Sequence, residues 1–168
     1  VNDGAGSFSA SGSYVTPAYG LYADFEDGGA VLDFDNDGDL DLLNVTNAST
    51  YPDISVGVFQ NENANDQLTQ LQSITVSGGQ YPDGIRVGDF DGDNNEEFLI
   101  QTESNALVLF QSNGDGSFGE LTSLQGFGVP GDIDDDGDDD IFYSDGASLS
   151  ILENQSLDFV DQGAFAYV

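Results

Sequence analysis

The sequence contains no cysteine, so it can build neither a disulfide nor a thiolate metal site. It contains no histidine, which removes imidazole both as a catalytic group and as a ligand. Basic residues are almost absent. Arg86 stands alone against 32 acidic residues, and the formal net charge is −31. With nothing to neutralise phosphates, nucleic acid and anionic membranes are poor partners. Cationic surfaces, metal ions and neutral glycans remain open. No apolar run approaches the length of a membrane span, so no membrane insertion is expected. No signal-peptide pattern opens the chain, and a secreted chain would have lost its signal before Val1.

Long amphipathic helices are missing as well. No 3.6-period apolar stripe exceeds one or two turns, and Gly and Asn-Asp turns interrupt every run. What remains is a succession of short, β-branched and aromatic segments. They predict an all-β chain long enough, at 168 residues, for one domain with a core.

The acids that are present are clustered. Seventeen of the 32 fall in three nine-residue stretches. The first is Asp33-Phe34-Asp35-Asn36-Asp37-Gly38-Asp39-Leu40-Asp41. The second is Asp89-Phe90-Asp91-Gly92-Asp93-Asn94-Asn95-Glu96-Glu97. The third is Asp132-Ile133-Asp134-Asp135-Asp136-Gly137-Asp138-Asp139-Asp140. Each places carboxylates at positions 1, 3, 5 and 9 of a tight loop. Oxygen ligands at that density repel one another unless a hard cation sits among them, and calcium takes six to eight such oxygens. The expectation is about three calcium sites, one per loop. A generally acidic, salt-adapted surface is a minor contribution, because the charge is concentrated rather than spread.

The loops recur at a repeat-like spacing. Their starts lie 56 and 43 residues apart. A period of roughly 40–50 residues with about four short strands per unit points to propeller blades. The phrase Asn113-Gly114-Asp115-Gly116-Ser117-Phe118 echoes Asn2-Asp3-Gly4-Ala5-Gly6-Ser7-Phe8, so the chain reads as opening inside a repeat unit. The units run from about 14 to 70, 71 to 124 and 125 to 168, with residues 1–13 as the tail of a preceding unit. The EF-hand alternative fails. That loop needs a glutamate at position 12 and flanking helices. Position 12 here is Asn44, Ile100 or Tyr143, and the flanks are strand-like.

These residues resemble the FG-GAP/VCBS repeat. The resemblance lies in apolar residues leading to an Asp-x-Asp-x-Asp-Gly loop, then an apolar strand, then a strand ending in Asn-x-Asp-Gly-x-Phe. Val87 to Asp93 and Asn113 to Phe118 match that pattern closely. The repeat builds the β-propeller of integrin α subunits and of many secreted bacterial proteins. The resemblance implies three antiparallel blades that form part of a propeller or one completed by oligomerisation. It implies side-chain ligands at Asp33, Asp35, Asp37 and Asp41, with the carbonyl of Asp39. In the second loop it implies Asp89, Asp91, Asp93 and Glu97, with the carbonyl of Asn95. In the third it implies Asp132, Asp134, Asp136 and Asp140, with the carbonyl of Asp138. Loop two departs from the pattern at Asn94 and Glu97 and is expected to be the weakest site; Asn94 should still tolerate the left-handed turn. Asp135 and Asp139 are expected to face solvent.

The functional expectation is a non-enzymatic, secreted or cell-surface module for adhesion or assembly, completed by a second copy or by neighbouring repeats. The alternative is a propeller binding a glycan or protein ligand, including as an accessory domain of a secreted enzyme. Paired carboxylates can mark a glycosidase, but at this spacing they are used as ligands. Without His, Cys or Lys an enzyme is poorly supplied. Tyr51-Pro52-Asp53 and Tyr81-Pro82-Asp83 read as repeat-specific turns. Tyr14, Tyr19, Tyr22 and Phe25 read as packing residues. The sequons at Asn44, Asn47 and Asn154 read as chance triplets in an Asn-rich chain.

Overall fold

The structure is a computed structural model that describes residues 28–47, 53–61, 68–78, 82–102, 104–155 and 157–165. The tyrosine cluster at 14–25, Tyr51, Pro52 and Tyr81 lie outside the described residues. Among the described residues, twelve strands form three four-stranded antiparallel sheets, each a simple meander in chain order. The first sheet contains β1 (Gly29–Leu32), β2 (Asp41–Asn47), β3 (Ile54–Asn61) and β4 (Leu68–Val76). The second contains β5 (Pro82–Gly88), β6 (Glu97–Thr102), β7 (Ala106–Ser112) and β8 (Phe118–Gln125). The third contains β9 (Phe127–Gly131), β10 (Asp140–Ser144), β11 (Leu149–Asn154) and β12 (Phe159–Phe165). The first strands lie side by side, β1 next to β5 and β5 next to β9. The sheets therefore follow one another as blades, and the architecture is that of a partial propeller.

Two apolar cores sit between blades. Leu43, Val56 and Val58 of the first sheet meet Phe98, Ile100 and Phe110 of the second. On the opposite face of the second sheet, Leu99, Leu107 and Leu109 meet Ile141 and Leu152 of the third. Strand period two explains the division: successive residues of β6 point to opposite blades. Both faces are covered, so all six residues of β6 are buried. A strand covered on both faces reads as a continuous apolar run, which Phe98-Leu99-Ile100 is. Phe98 stacks on Phe110 and meets the edge of Phe118, which ties β6 through β8 into one face.

The acidic stretches join the first and second strands of each blade. Their tightness comes from two left-handed residues per loop. Position 4 is Asn36, Gly92 or Asp135, with φ of 55°, 71° and 65°. Position 6 is Gly38, Asn94 or Gly137, with φ of 91°, 72° and 101°. Gly, Asn and Asp are the residues that enter this region most readily. Loop two exchanges Gly and Asn between the two positions, and Asn94 keeps the turn.

Candidate metal centres at the blade junctions

Local backbone donors organise each loop. The position 1 carboxylate receives two loop N–H groups. Asp33 accepts from Asp37 and Gly38 at 3.1 and 3.0 Å. Asp89 accepts from Gly92 and Asn94 at 2.8 and 3.0 Å. Asp132 accepts from Asp136 and Gly137 at 3.1 and 3.2 Å. The position 5 carboxylates accept from the N–H two residues on, in Asp39, Asn95 and Asp138. Such Asx turns are what short acidic side chains do in irregular backbone.

Position 9 has a second role that local sequence did not show. Asp41, Glu97 and Asp140 are almost wholly buried. One oxygen of each accepts from the N–H of position 2, in Phe34, Phe90 or Ile133. The other accepts from the last residue of the third strand, Asn61, Ser112 or Asn154. The position 9 carboxylate thus staples the loop to the third strand of its own blade. Burial pushes the Asp41 carboxyl up to about 6 and the Glu97 carboxyl up to about 7, with Asp35 and Asp37, or Asp91 and Asp93, adding to the rise. Burial also raises Asp91. These carboxylates resist ionisation until positive charge arrives.

The folding gathers part of each predicted ligand set within a single small sphere. Asp33, Asp35 and Asp41 each offer an oxygen within 4.8 Å of the others. So do Asp89, Asp91 and Glu97. In the third loop the close trio is Asp132, Asp134 and Asp136. Asp37, Asp39, Asp93, Asn95, Asp138 and Asp140 lie outside these trios. All nine donors are carboxylate oxygens, and a buried oxygen of Asp35 has no hydrogen-bond partner. Such a donor set suits a hard cation.

The third strands supply residues that the sequence reading missed. Gln60 donates to Asp35 at 2.6 Å, and Gln111 donates to Asp91 at 3.0 Å. Glu153 occupies the same position in the third blade; the Asp134 carboxyl is raised by desolvation, then by the charges of Asp136 and Asp140, with a smaller contribution from Glu153. Comparing the strand ends Gln60-Asn61, Gln111-Ser112 and Glu153-Asn154 across the repeat was the available signal.

The loops also form the contacts between blades. The Asp33 N–H donates to Glu96 of the next blade at 2.9 Å. The Asp139 N–H donates to the Asp89 carbonyl at 2.7 Å. Ser112 Oγ donates to the Phe34 carbonyl at 3.3 Å, and Asn154 Nδ2 donates to the Phe90 carbonyl. Asp139 was expected to face solvent. Instead it is half-buried against the preceding blade, where Gly88 leaves room for its carboxylate: a Cβ at Gly88 would come within 2.2 Å of it. Asp135 is exposed, as expected. Asn154 is fully buried, so its sequon is closed to glycosylation in the folded chain.

Three meander blades with an acidic loop after each first strand define a propeller-type repeat protein. Residues 33–100 match the family model of the FG-GAP-like repeat. The match begins at the first residue of loop one and ends within β6. The third blade repeats the same loop and staples beyond the matched stretch. No curated protein matches the chain.

Proposed function

We propose that the chain is a non-enzymatic, calcium-stabilised extracellular module that acts in adhesion or assembly. The observation that carries the reading is the threefold recurrence of an all-oxygen carboxylate trio at a blade edge. Calcium is the ion whose chemistry fits: it takes oxygen donors only and tolerates an irregular coordination geometry. Asp33, Asp35 and Asp41, their equivalents Asp89, Asp91 and Glu97, and Asp132, Asp134 and Asp136 would hold it. When bound, the ion supplies positive charge that offsets carboxylate repulsion and braces the turn between two strands. Loops of modest affinity fill where calcium is millimolar, which supports an extracellular location. Among the described residues no helix is long and apolar enough to cross a membrane.

Calcium titration followed by thermal unfolding tests this. Millimolar calcium is expected to raise Tm. Asp134→Ala removes a fully exposed carboxylate, so its effect on Tm should be confined to calcium buffer. Asp35→Ala also loses the Gln60 bond, worth about 1 kcal/mol, so it should show a small loss in chelator and a larger one in calcium. Equal losses in both buffers would refute the ligand assignment.

A second reading, ligand binding, is favoured by one cleft. A space of about 350 Å³ is lined by Arg86, Gln101, Phe127, Phe142 and Tyr143 among others. The buried Gln101 side-chain oxygen has no partner there. Aromatic faces beside a free acceptor and a guanidinium suit a glycan. Saturable binding of an oligosaccharide, lost in Phe142→Ala, would support this reading over the first.

A further inference from the structure

The two blade junctions are built alike, position by position. At each, the position 2 side chain of one loop is sealed beneath the next blade: Phe34 and Phe90 are both 0% exposed. Its carbonyl accepts from the end of the next blade's third strand, Ser112 or Asn154. Position 8 of the next loop meets position 1 of the preceding one at both, by different groups: the Glu96 carboxylate accepts from the Asp33 N–H, and the Asp139 N–H donates to the Asp89 carbonyl. Position 11 faces the next blade and is buried, in Leu43 and Leu99. Position 10 faces the preceding blade and is buried, in Phe98 and Ile141.

The same positions are uncovered at the two outer faces. On the third blade, Ile133 at position 2 is 46% exposed and Phe142 at position 11 is 40% exposed. On the first blade, Leu40 at position 8 is 60% exposed, and Leu42 at position 10 is only half-buried, beside the exposed Val31. The third blade thus presents the head half of a junction, and the first blade presents the tail half.

We propose that the head face around Ile133 and Phe142 receives the tail face around Leu40 and Leu42 of a second copy of this chain. The contact continues the geometry already seen twice within the chain. Asn61 occupies the place of Ser112 and Asn154. Its amide donates to the Leu40 carbonyl as that of Asn154 does to the Asp139 carbonyl. As in Asn154, the second amide hydrogen is then placed to cap a position 2 carbonyl, here that of Ile133. Charge selects this pairing. Loop three holds seven acids, so a tail bringing Glu or Asp at position 8 would add to the repulsion there. Leu40 is the one apolar residue at that position, and it brings an apolar side chain to Ile133 instead. The association is heterologous, and two copies joined this way bring six of the described blades into one succession, a number within the range of closed propellers. Because each copy has a net charge of −31, contact requires bound cation. The inference therefore rests on the calcium reading above.

Sedimentation velocity of the 168-residue chain in millimolar calcium tests it. The wild type is expected to form a dimer. Ile133→Asp and Leu40→Asp, both at exposed positions, should each weaken association by about tenfold or more. An equimolar mixture of the two should recover a one-to-one dimer, since one chain keeps its head and the other its tail. Circular dichroism and calcium-dependent Tm check that each variant folds. A monomeric wild type whose Tm still rises with calcium would overturn this inference and leave the calcium reading standing. A Tm indifferent to calcium would defeat that reading itself. Dimers that survive either single substitution, or a mixture that stays monomeric, would overturn the head-to-tail arrangement. So would a monomer destabilised by Leu40→Asp, which would assign the tail face to the chain's own residues.

Discussion

Phe90→Ala is expected to lower stability by about 3–5 kcal/mol, the usual cost of emptying a phenylalanine site in a close-packed core. Phe90 belongs to an acidic loop, where a truncated side chain would ordinarily cost little. It is fully buried because the third blade closes over it. Its ring meets Phe159 edge to face at 6.2 Å and packs among Leu99, Leu109 and Ile141. With Leu107 and Leu152 those residues make the buried cluster between the second and third sheets, a small core with little capacity to collapse around a void. Ile133→Ala removes the equivalent side chain from the third loop, where it is about half exposed. Measured on the monomer, that change should fall within about 0.5 kcal/mol of zero. Urea unfolding of both variants in calcium, at a concentration where sedimentation shows monomer, gives the comparison. Similar losses for the two would show that position 2 acts within its own loop, and the account of the blade junction would fail.

Glu97→Ala should be comparably damaging, by a different route. The Glu97 oxygens accept from Phe90 N at 2.9 Å and Ser112 N at 3.2 Å. Deleting them leaves two buried N–H groups without acceptors. At about 1–3 kcal/mol for each orphaned group, the loss is about 2–6 kcal/mol, and it should appear with or without calcium. Glu97→Gln keeps one acceptor and should lose less. The same residue gives the chain a pH signature. Its folded carboxyl is raised to about 7, so without metal the folded chain holds a proton that the unfolded chain has released. Stability in calcium-free buffer is therefore greatest below the ordinary glutamate range and falls as pH rises through about 7. Asp41 contributes in the same direction around 6. In calcium the sign reverses, because the cation favours the ionised carboxylates and protons compete with it. Denaturation at pH 5 and pH 8, with and without calcium, reads both slopes. Glu97→Gln should flatten the calcium-free one. A calcium-free chain that is more stable at pH 8 than at pH 5 would contradict the buried, metal-seeking carboxylate.

The parts of this fold that were legible in the sequence are those set within a few residues of chain. Alternation and β-branched runs marked the strands. The left-handed requirement at position 6 marked the loops, down to the tolerance of Asn94, whereas the second left-handed residue at position 4 emerged only in the fold. Carboxylate spacing marked the candidate metal centres, since positions 1 and 3 come together in every loop, joined by position 9 in loops one and two and by position 5 in loop three. Tertiary structure alone decided what happens across blades. The bonds Asp33–Glu96, Phe90–Asn154 and Phe34–Ser112 span 63, 64 and 78 residues. No local pattern reports such separations. Only the assembled blades show that Phe34 and Phe90 are core residues while Ile133 is not, or that Asp139 leaves solvent to reach Gly88. Composition and spacing determined the loops, because a hydrogen bond two to five residues long depends on local conformation. The stacking of sheets determined which of their side chains are buried, because burial depends on what the neighbouring blade covers.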